Sequence, residues 1–351
     1  MSGVGEQRGC RTAVLVVHRA PYRDPVLDRL CNRCQIDLFS VYPSDKGHDW
    51  AGFKNDVPVL SGRGCLMHLL KMFVFSRRYS TVVWPAYHPW WLTLPIVISA
   101  FAGKRYGLMS DTKEENGGPL SRWIKRIVFR HAAFIWVPGK AASRFLSRHY
   151  GVPPARLVRG LYVVDPKEVA DSPALSPTSL QNFLMVANDI PERRLDVLVA
   201  GFSRWRKGDE HLILCGRGCS RYACEGVIGI EGVKWEELSR LYEKADVYVH
   251  NGMEQFSTAV QIAAYRGLPI ICAGEIGIVA DFANADESMI VVRDWCSQDA
   301  WQNAFERLSM MSSDALKGMC DRCRDESRAL YDLESIVENV SACIMDCVTS
   351  G

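Results

Sequence analysis

The sequence predicts an α/β protein built from two open parallel-sheet domains of similar build that face each other across a cleft. Two observations carry this. Strand-like and helix-like segments alternate over residues 13–149 and again over 183–272, the rhythm of parallel sheets covered on both faces. Between the two runs, the proline- and serine-rich stretch Asp165–Ser179 breaks the pattern with linker chemistry. A chain of 351 residues suits two domains of ordinary size, so the expected units are 1–168, 169–330 and a terminal helical segment 331–351.

In the first half, Ala13–Val17 is a β-branched strand and Val26–Cys31 an amphipathic helix. Ile36–Val41 reads as a strand, Leu66–Phe75 as a helix, Thr81–Trp84 as a strand and Trp90–Phe101 as an apolar helix. Arg105–Met109 and Phe134–Val137 are strands; Leu120–Ala133 and Ala141–His149 are helices, the latter ended by Gly151 and Pro153. In the second half the expected strands are Phe183–Ala187, His211–Cys215, Val247–His250 and Pro269–Cys272. The helices between them are Arg193–Arg204, Trp235–Lys244 and Ser257–Tyr265, and beyond Trp295 the chain reads as helix to the end.

Composition narrows the classes. With 42 basic against 40 acidic residues the chain lacks the basic excess of a dedicated nucleic-acid binder. Ala13–Val17 is too short for a signal-peptide core. Trp90–Gly103, the longest apolar stretch, falls short of the roughly 20 residues that span a bilayer. The expectation is a soluble cytoplasmic protein. The thirteen cysteines are then expected as reduced thiols packed on or near helices. The pairs Cys31/Cys34 and Cys320/Cys323 have neither redox-loop punctuation nor tight four-ligand zinc spacing.

In open parallel sheets ligands bind beyond the carboxyl ends of strands, so the residues following each strand are the candidates. Asn188 to Arg194 place a polar turn and two arginines, Arg193 and Arg194, at the start of a helix. A helix N-terminus attracts phosphate and an arginine there can hold a diphosphate; an ordinary capped helix with a solvated basic face fits the same residues. Gly216 and Arg217 sit in a small-residue turn that lets a ligand approach the backbone. In Val247–Thr258 a strand runs through a polar loop carrying Glu254 and Phe256 to a helix opening at Ser257 and Thr258. There the N–H groups and hydroxyls can receive a phosphate, and Glu254 a sugar hydroxyl; the plainer reading is a helix cap beside a solvated acid.

The run ELSRLYEKADVYVHNGMEQFSTAVQIAAYRGLPIICAG resembles the nucleotide-sugar-binding segment of family 4 of the retaining GT-B glycosyltransferases, matching its pattern at Glu237, Leu238, Tyr242, Asp246, Glu254, Phe256, Gly267 and Pro269 among others. FLMVANDIPERRLDVLVAGF and HLILCGRG resemble the same domain's first strand and helix and its next strand. HRAPYRDPVLDRL and the SDT segment at 110–112 resemble one branch's first domain. The resemblance implies two Rossmann-like domains, with the last helix, about Ile336–Asp346, crossing back to the first. It also implies sugar transfer from a nucleotide-sugar donor, UDP- or GDP-linked, to a glycan, glycolipid or small-molecule hydroxyl, with no metal and no cofactor. Arg193 fills the family's lysine position and would meet the donor diphosphate. Asn188, Gly216, Arg217, Phe256, Ser257 and Thr258 complete the donor side, with Glu254 on the sugar. Acceptor-side candidates are His18, Arg19, Tyr22, Arg23 and Asp111, with Asp111 orienting the acceptor.

The departures are specific. Asn188 stands where the family carries an arginine, and Ile262 where it carries a second glutamate, with Gln261 one position away. They leave two rivals open: a degenerate subunit that binds or scaffolds a partner without catalysis, and a sugar-nucleotide epimerase of the same fold. Finally, Arg122, Trp123, Lys125, Arg126, Phe129 and Arg130 mix basic and aromatic residues at helical spacing. Residues 120–131 therefore suit either peripheral contact with the inner membrane face or a core-facing stripe with a solvated basic face.

Overall fold

The computed structural model describes residues 11–20, 22–42, 57–60, 65–85, 90–112, 117–165, 169 and 180–349. Of the expected linker Asp165–Ser179, all but residues 165 and 169 lie outside the described residues.

The first domain runs β1 (Arg11–Val16), α1 (Asp24–Arg33), β2 (Ile36–Ser40), α2 (Cys65–Leu69), β3 (Tyr79–Trp84), α3 (Thr93–Phe101), β4 (Arg105–Met109), α4 (Pro119–His131), β5 (Phe134–Val137), α5 (Lys140–Tyr150) and β6 (Leu157–Arg159). Every pairing is parallel and the order is β2-β1-β3-β4-β5-β6. Such strands are covered on both faces, so they carry near-continuous apolar runs; β1, β3 and β5 are buried almost throughout. Right-handed crossovers between parallel strands put α2, α3, α4 and α5 on one face. The chain doubles back from β1 to β2, so α1 takes the other face.

The second domain runs β7 (Asn182–Val186), α6 (Leu195–Trp205), β8 (His211–Cys215), β9 (Val227–Ile230), α7 (Trp235–Lys244), β10 (Val247–His250), α8 (Thr258–Arg266), β11 (Ile270–Ala273), α9 (Ala285–Ser288), β12 (Ile290–Val292), α10 (Gln298–Ser309), α11 (Ser313–Leu330) and α12 (Leu333–Thr349). Its parallel order is β12-β11-β10-β7-β8-β9, so the winding reverses between β7 and β10, where a doubly wound sheet opens a crevice. Phe183, Phe202, Trp205 and Phe305 form an aromatic cluster beneath it, with centroids 5.2–5.7 Å apart.

Three short strands, β6, β9 and β12, were not expected from the sequence. Leu66–Phe75 divides into α2 and a wider-wound turn at Leu70–Val74. The helix expected from Arg193 begins at Leu195 instead. Pro191–Arg193 forms a 3-10 turn and Arg194 adopts a left-handed conformation (φ 41°) that breaks helical continuity. Cys320 and Cys323 are buried on α11.

Two features join the domains. Helix α12 packs against α1 and the strands of the first sheet, and Arg29 of α1 pairs with Glu334 at 3.0 Å and Asp165 at 3.0 Å. Helix α5 begins at Lys140 behind Gly139, which offers no side-chain cap. The carboxylate of Asp281, from the second domain, accepts the Lys140 backbone N–H in its place and also takes the Tyr331 hydroxyl at 2.5 Å.

Candidate active site

The carboxyl ends of β7, β8 and β10 open into a cavity of about 850 Å³ at the winding reversal. Its floor is two interlocked turns. After β7, the Ala187 N–H donates to the Cys215 carbonyl at 2.9 Å and the Asp189 N–H to the Arg217 carbonyl at 2.9 Å. Gly216 is required by this approach, because a Cβ there would fall 2.1 Å from the Ala187 carbonyl oxygen. The Asn188 side chain accepts the Arg217 N–H at 3.0 Å, so it ties the turns together while lining the cavity.

The loop after β10 supplies the chemistry. Gly252 (φ 116°) lies so close to Glu192 and Arg193 that a Cβ would meet the Arg193 Cα at 2.7 Å. The Met253 N–H donates to the Glu192 carbonyl at 3.1 Å. This contact brings Glu254 beside Arg193, with Nη2 3.3 Å from Oε2. Between them stands His250, the last residue of β10 and 1% exposed. Its Nε2 is 2.7 Å from Glu254 Oε2 and 3.0 Å from Arg193 Nη1, and its Nδ1 is 2.9 Å from the Tyr248 hydroxyl. The consistent assignment is a neutral ring whose Nδ1 accepts from Tyr248 and whose Nε2–H donates to Glu254. Burial holds the imidazole below its ordinary pKa, against the opposing pull of Glu254. Burial pushes the Glu254 carboxyl up, but His250 and Arg193 outweigh it and hold the acid below the usual range. Glu254 is therefore ionised and Arg193 is its counter-ion.

Helix α8 starts at the same place. Ser257 is its N-cap, with Oγ accepting the Val260 N–H at 3.4 Å. The cap uses a lone pair of Oγ, so α8 still offers an anion the Ser257 O–H together with its first-turn N–H groups.

Of the candidates named from the sequence, the cavity gathers Tyr22, Asn188, Arg193, Gly216, Arg217, Glu254, Phe256, Ser257 and Thr258. It does not gather His18, Arg19, Arg23 or Asp111. Arg19 is held in its own loop by Asp24 at 2.9 Å and Asp28 at 2.8 Å, and buried Arg23 donates to the His18 carbonyl. Asp111 accepts from the Tyr162 hydroxyl at 3.2 Å, and Tyr162, packed edge-on against Tyr22, is the residue that lines the cavity. Burial, then Asp111, raises the Tyr162 phenol well above its ordinary pKa. Gln261 is fully buried, with its carbonyl accepting the Val164 N–H at 3.1 Å; the apolar Ile262 faces the cavity instead. Sequence reasoning missed Tyr162, His250 and the far wall of Glu231, Trp235, Leu238 and Tyr242, and the unexpected strand β9 is what delivers Glu231. Among the described residues no group of three His, Cys, Asp or Glu is arranged to hold a metal ion, and no helix is long and apolar enough to cross a membrane.

Two doubly wound sheets facing across a cleft, with the last helix returned to the first domain, make this a GT-B glycosyltransferase fold. The chain is similar to Anabaena HepE in complex with UDP and glucose, with TM-score 0.72, 11% identity, and coverage of 96% of this chain and 100% of that one. It is also similar to sucrose-phosphate synthase from Thermosynechococcus elongatus (TM-score 0.67, 13% identity, 97% and 100% covered). A third likeness is to WaaG, a glycosyltransferase involved in lipopolysaccharide biosynthesis (TM-score 0.63, 14% identity, 97% and 100% covered). No protein-family model and no curated protein matches the sequence.

Proposed function

We propose that the protein is a retaining glycosyltransferase that moves a sugar from a nucleotide-sugar donor to an acceptor hydroxyl. The observation that carries this is the convergence of Arg193, Glu254 and the α8 N-terminus on one cavity at the cleft. The donor diphosphate sits against Arg193 and the α8 N–H groups, which stabilise the charge that grows on the leaving phosphate. Glu254, oriented by His250, accepts from a sugar hydroxyl once the diphosphate has drawn Arg193 away. The nucleoside end lies along Ile262, Trp235, Leu238 and Tyr242. The acceptor enters from the first domain past Tyr22 and Tyr162, with Asp111 acting through the Tyr162 hydroxyl. Its hydroxyl attacks from the leaving-group face and gives its proton to the departing phosphate oxygen, so the configuration at the sugar carbon is kept. Cationic and N–H groups do the work of a divalent ion, so none is required.

HepE's complexes contain UDP with glucose and UDP-glucose, which supports UDP-glucose as the first donor to test. The test is calorimetry with UDP- and GDP-sugars, followed by transfer and donor-hydrolysis assays with product stereochemistry read by NMR. Donor binding with retained configuration is expected. Binding without turnover would favour the second reading, a non-catalytic nucleotide-sugar-binding subunit, to which the apolar Ile262 on the cavity wall lends support. Binding of no nucleotide sugar would refute the donor site.

A further inference from the structure

Helix α8 carries a row of side chains one turn apart, Thr258, Ile262 and Arg266. Thr258 and Ile262 line the large cavity, and Ile262 and Arg266 line a second, smaller chamber of about 20 Å³. Four walls of this chamber, Trp235, Leu238, Tyr242 and Ile262, are shared with the large cavity, and Ser239 and Arg266 close it. Arg266 is 2% exposed. Its Nη2 donates to the Ser239 hydroxyl at 2.9 Å, and its guanidinium lies over the Tyr242 ring, 5.8 Å from the centroid. Nε and Nη1 are buried and bond to no protein atom. Among the described residues no carboxylate pairs with this guanidinium. Burial pulls its pKa down, against the weaker pull of Glu243, yet an arginine keeps its proton in a protein. A full positive charge therefore stands in the interior, where charges are normally paired. The carbonyl end of α8 favours a cation at this position but supplies only a partial charge.

We infer that the chamber seats a monatomic anion, chloride, against the Arg266 guanidinium. The Ser239 hydroxyl accepts from Nη2 and keeps its own proton to give, so the seat has a second donor. Size selects among anions. A chamber of about 20 Å³ admits one sphere of water's size or little more, which suits a halide and excludes phosphate and carboxylate groups. A water molecule can accept from the same N–H groups but leaves the charge uncompensated. The anion completes the wall along which the nucleoside end of the donor lies, and that consequence alone rests on the transferase reading.

The experiment follows thermal unfolding of the full chain in sodium chloride and in sodium gluconate, each at about 0.1 M ionic strength. Gluconate screens charges equally but is too large for the chamber. Chloride should raise the midpoint by roughly 2 °C or more over gluconate, and bromide should act as chloride does. Arg266→Met replaces the cation with an unbranched apolar chain, a change that buried charges often tolerate, and should give the same midpoint in both salts. A crystal of the native protein soaked in bromide should show anomalous scattering between Arg266 and Ser239. Equal midpoints for the native protein in the two salts, a chloride response that survives in Arg266→Met, or a chamber without bromide would each overturn the inference. If Arg266→Met does not fold, the bromide position decides alone. UDP titrated into the native protein in gluconate separates the two sites: a chloride response without UDP binding sinks only the donor site, and the reverse sinks only the anion seat.

Discussion

Glu254→Gln should move two affinities in opposite directions. Arg193 is the counter-ion of Glu254 at 3.3 Å, with the two side chains 14% and 24% exposed. A diphosphate must displace that carboxylate to reach the guanidinium. A hydrogen bond to a charged group contributes about 1.5–3 kcal/mol, and partial exposure puts this pair near 1.5. Removing the negative charge frees Arg193, so UDP alone should bind roughly tenfold more tightly. Turnover of the nucleotide sugar should fall by roughly 30-fold or more, because the carboxylate that accepts from the sugar hydroxyl is gone and about 2–4 kcal/mol of oriented stabilisation is lost. Calorimetry of UDP binding at low ionic strength reads the first effect, and initial rates of transfer read the second. If UDP binds Glu254→Gln no more tightly than the native protein, Glu254 does not compete for Arg193 and the exchange proposed for the site is wrong.

The other predictions follow from the same geometry. Arg193→Ala should lower kcat/KM by roughly 30-fold or more, since losing a charged partner of a bound phosphate costs about 2–5 kcal/mol. Arg194→Ala should do far less, because Arg194 pairs at the surface with Asp196 at 3.2 Å; the reverse ranking in kinetics would mean the wrong arginine has been assigned. Activity should survive EDTA, and loss restored by magnesium or manganese would rule out the cation-and-helix account. Because burial depresses the His250 pKa below 6.5, the unfolded chain takes up that proton more readily than the folded one. The stability tied to a neutral His250 is complete above about pH 6.5 and lost as pH falls. His250→Gln should therefore flatten the decline of the thermal midpoint between about pH 6.5 and 5, and parallel curves for variant and native protein would contradict the buried neutral ring.

The parts of the fold legible in the sequence were those where one period dominates. The β-branched and aromatic runs TVVW and FIWV read as strands buried on both faces, and Trp235–Lys244 shows itself by its amphipathic spacing. The missed strands lacked such a signal: Leu157–Arg159 and Ile290–Val292 are three residues each, and Val227–Ile230 contains Gly229. At the site, a strand followed by a polar loop and a Ser-capped helix was readable locally, and its residues do converge on the cavity. His250 was not readable, since within VYVH it looks like one more strand residue and only tertiary packing sets it between Arg193 and Glu254. On the acceptor side, most of the residues named from the sequence stand outside the cavity lining. His18, Arg19 and Arg23 look like ligand-binding groups in isolation, yet the acids that claim Arg19, at positions 24 and 28, lie a few residues downstream.

The cap that Asp281 places on α5 also fastens the two domains to each other. Parting the domains there would strip the Lys140 N–H of its acceptor and leave Asp281, 2% exposed, with the Tyr331 hydroxyl alone, a cost of about 1–3 kcal/mol for the orphaned N–H. The Tyr331 ring that bonds Asp281 also packs edge-on against Phe256 at 5.6 Å, and Phe256 meets Tyr162 of the first domain at 6.1 Å. The cap and the aromatic contacts across the cavity therefore form one continuous seam between the two domains. A substitution that removed the cap, such as Asp281→Ala, would loosen the relative pose of the domains and free the Tyr331 ring on which the cavity-lining Phe256 packs.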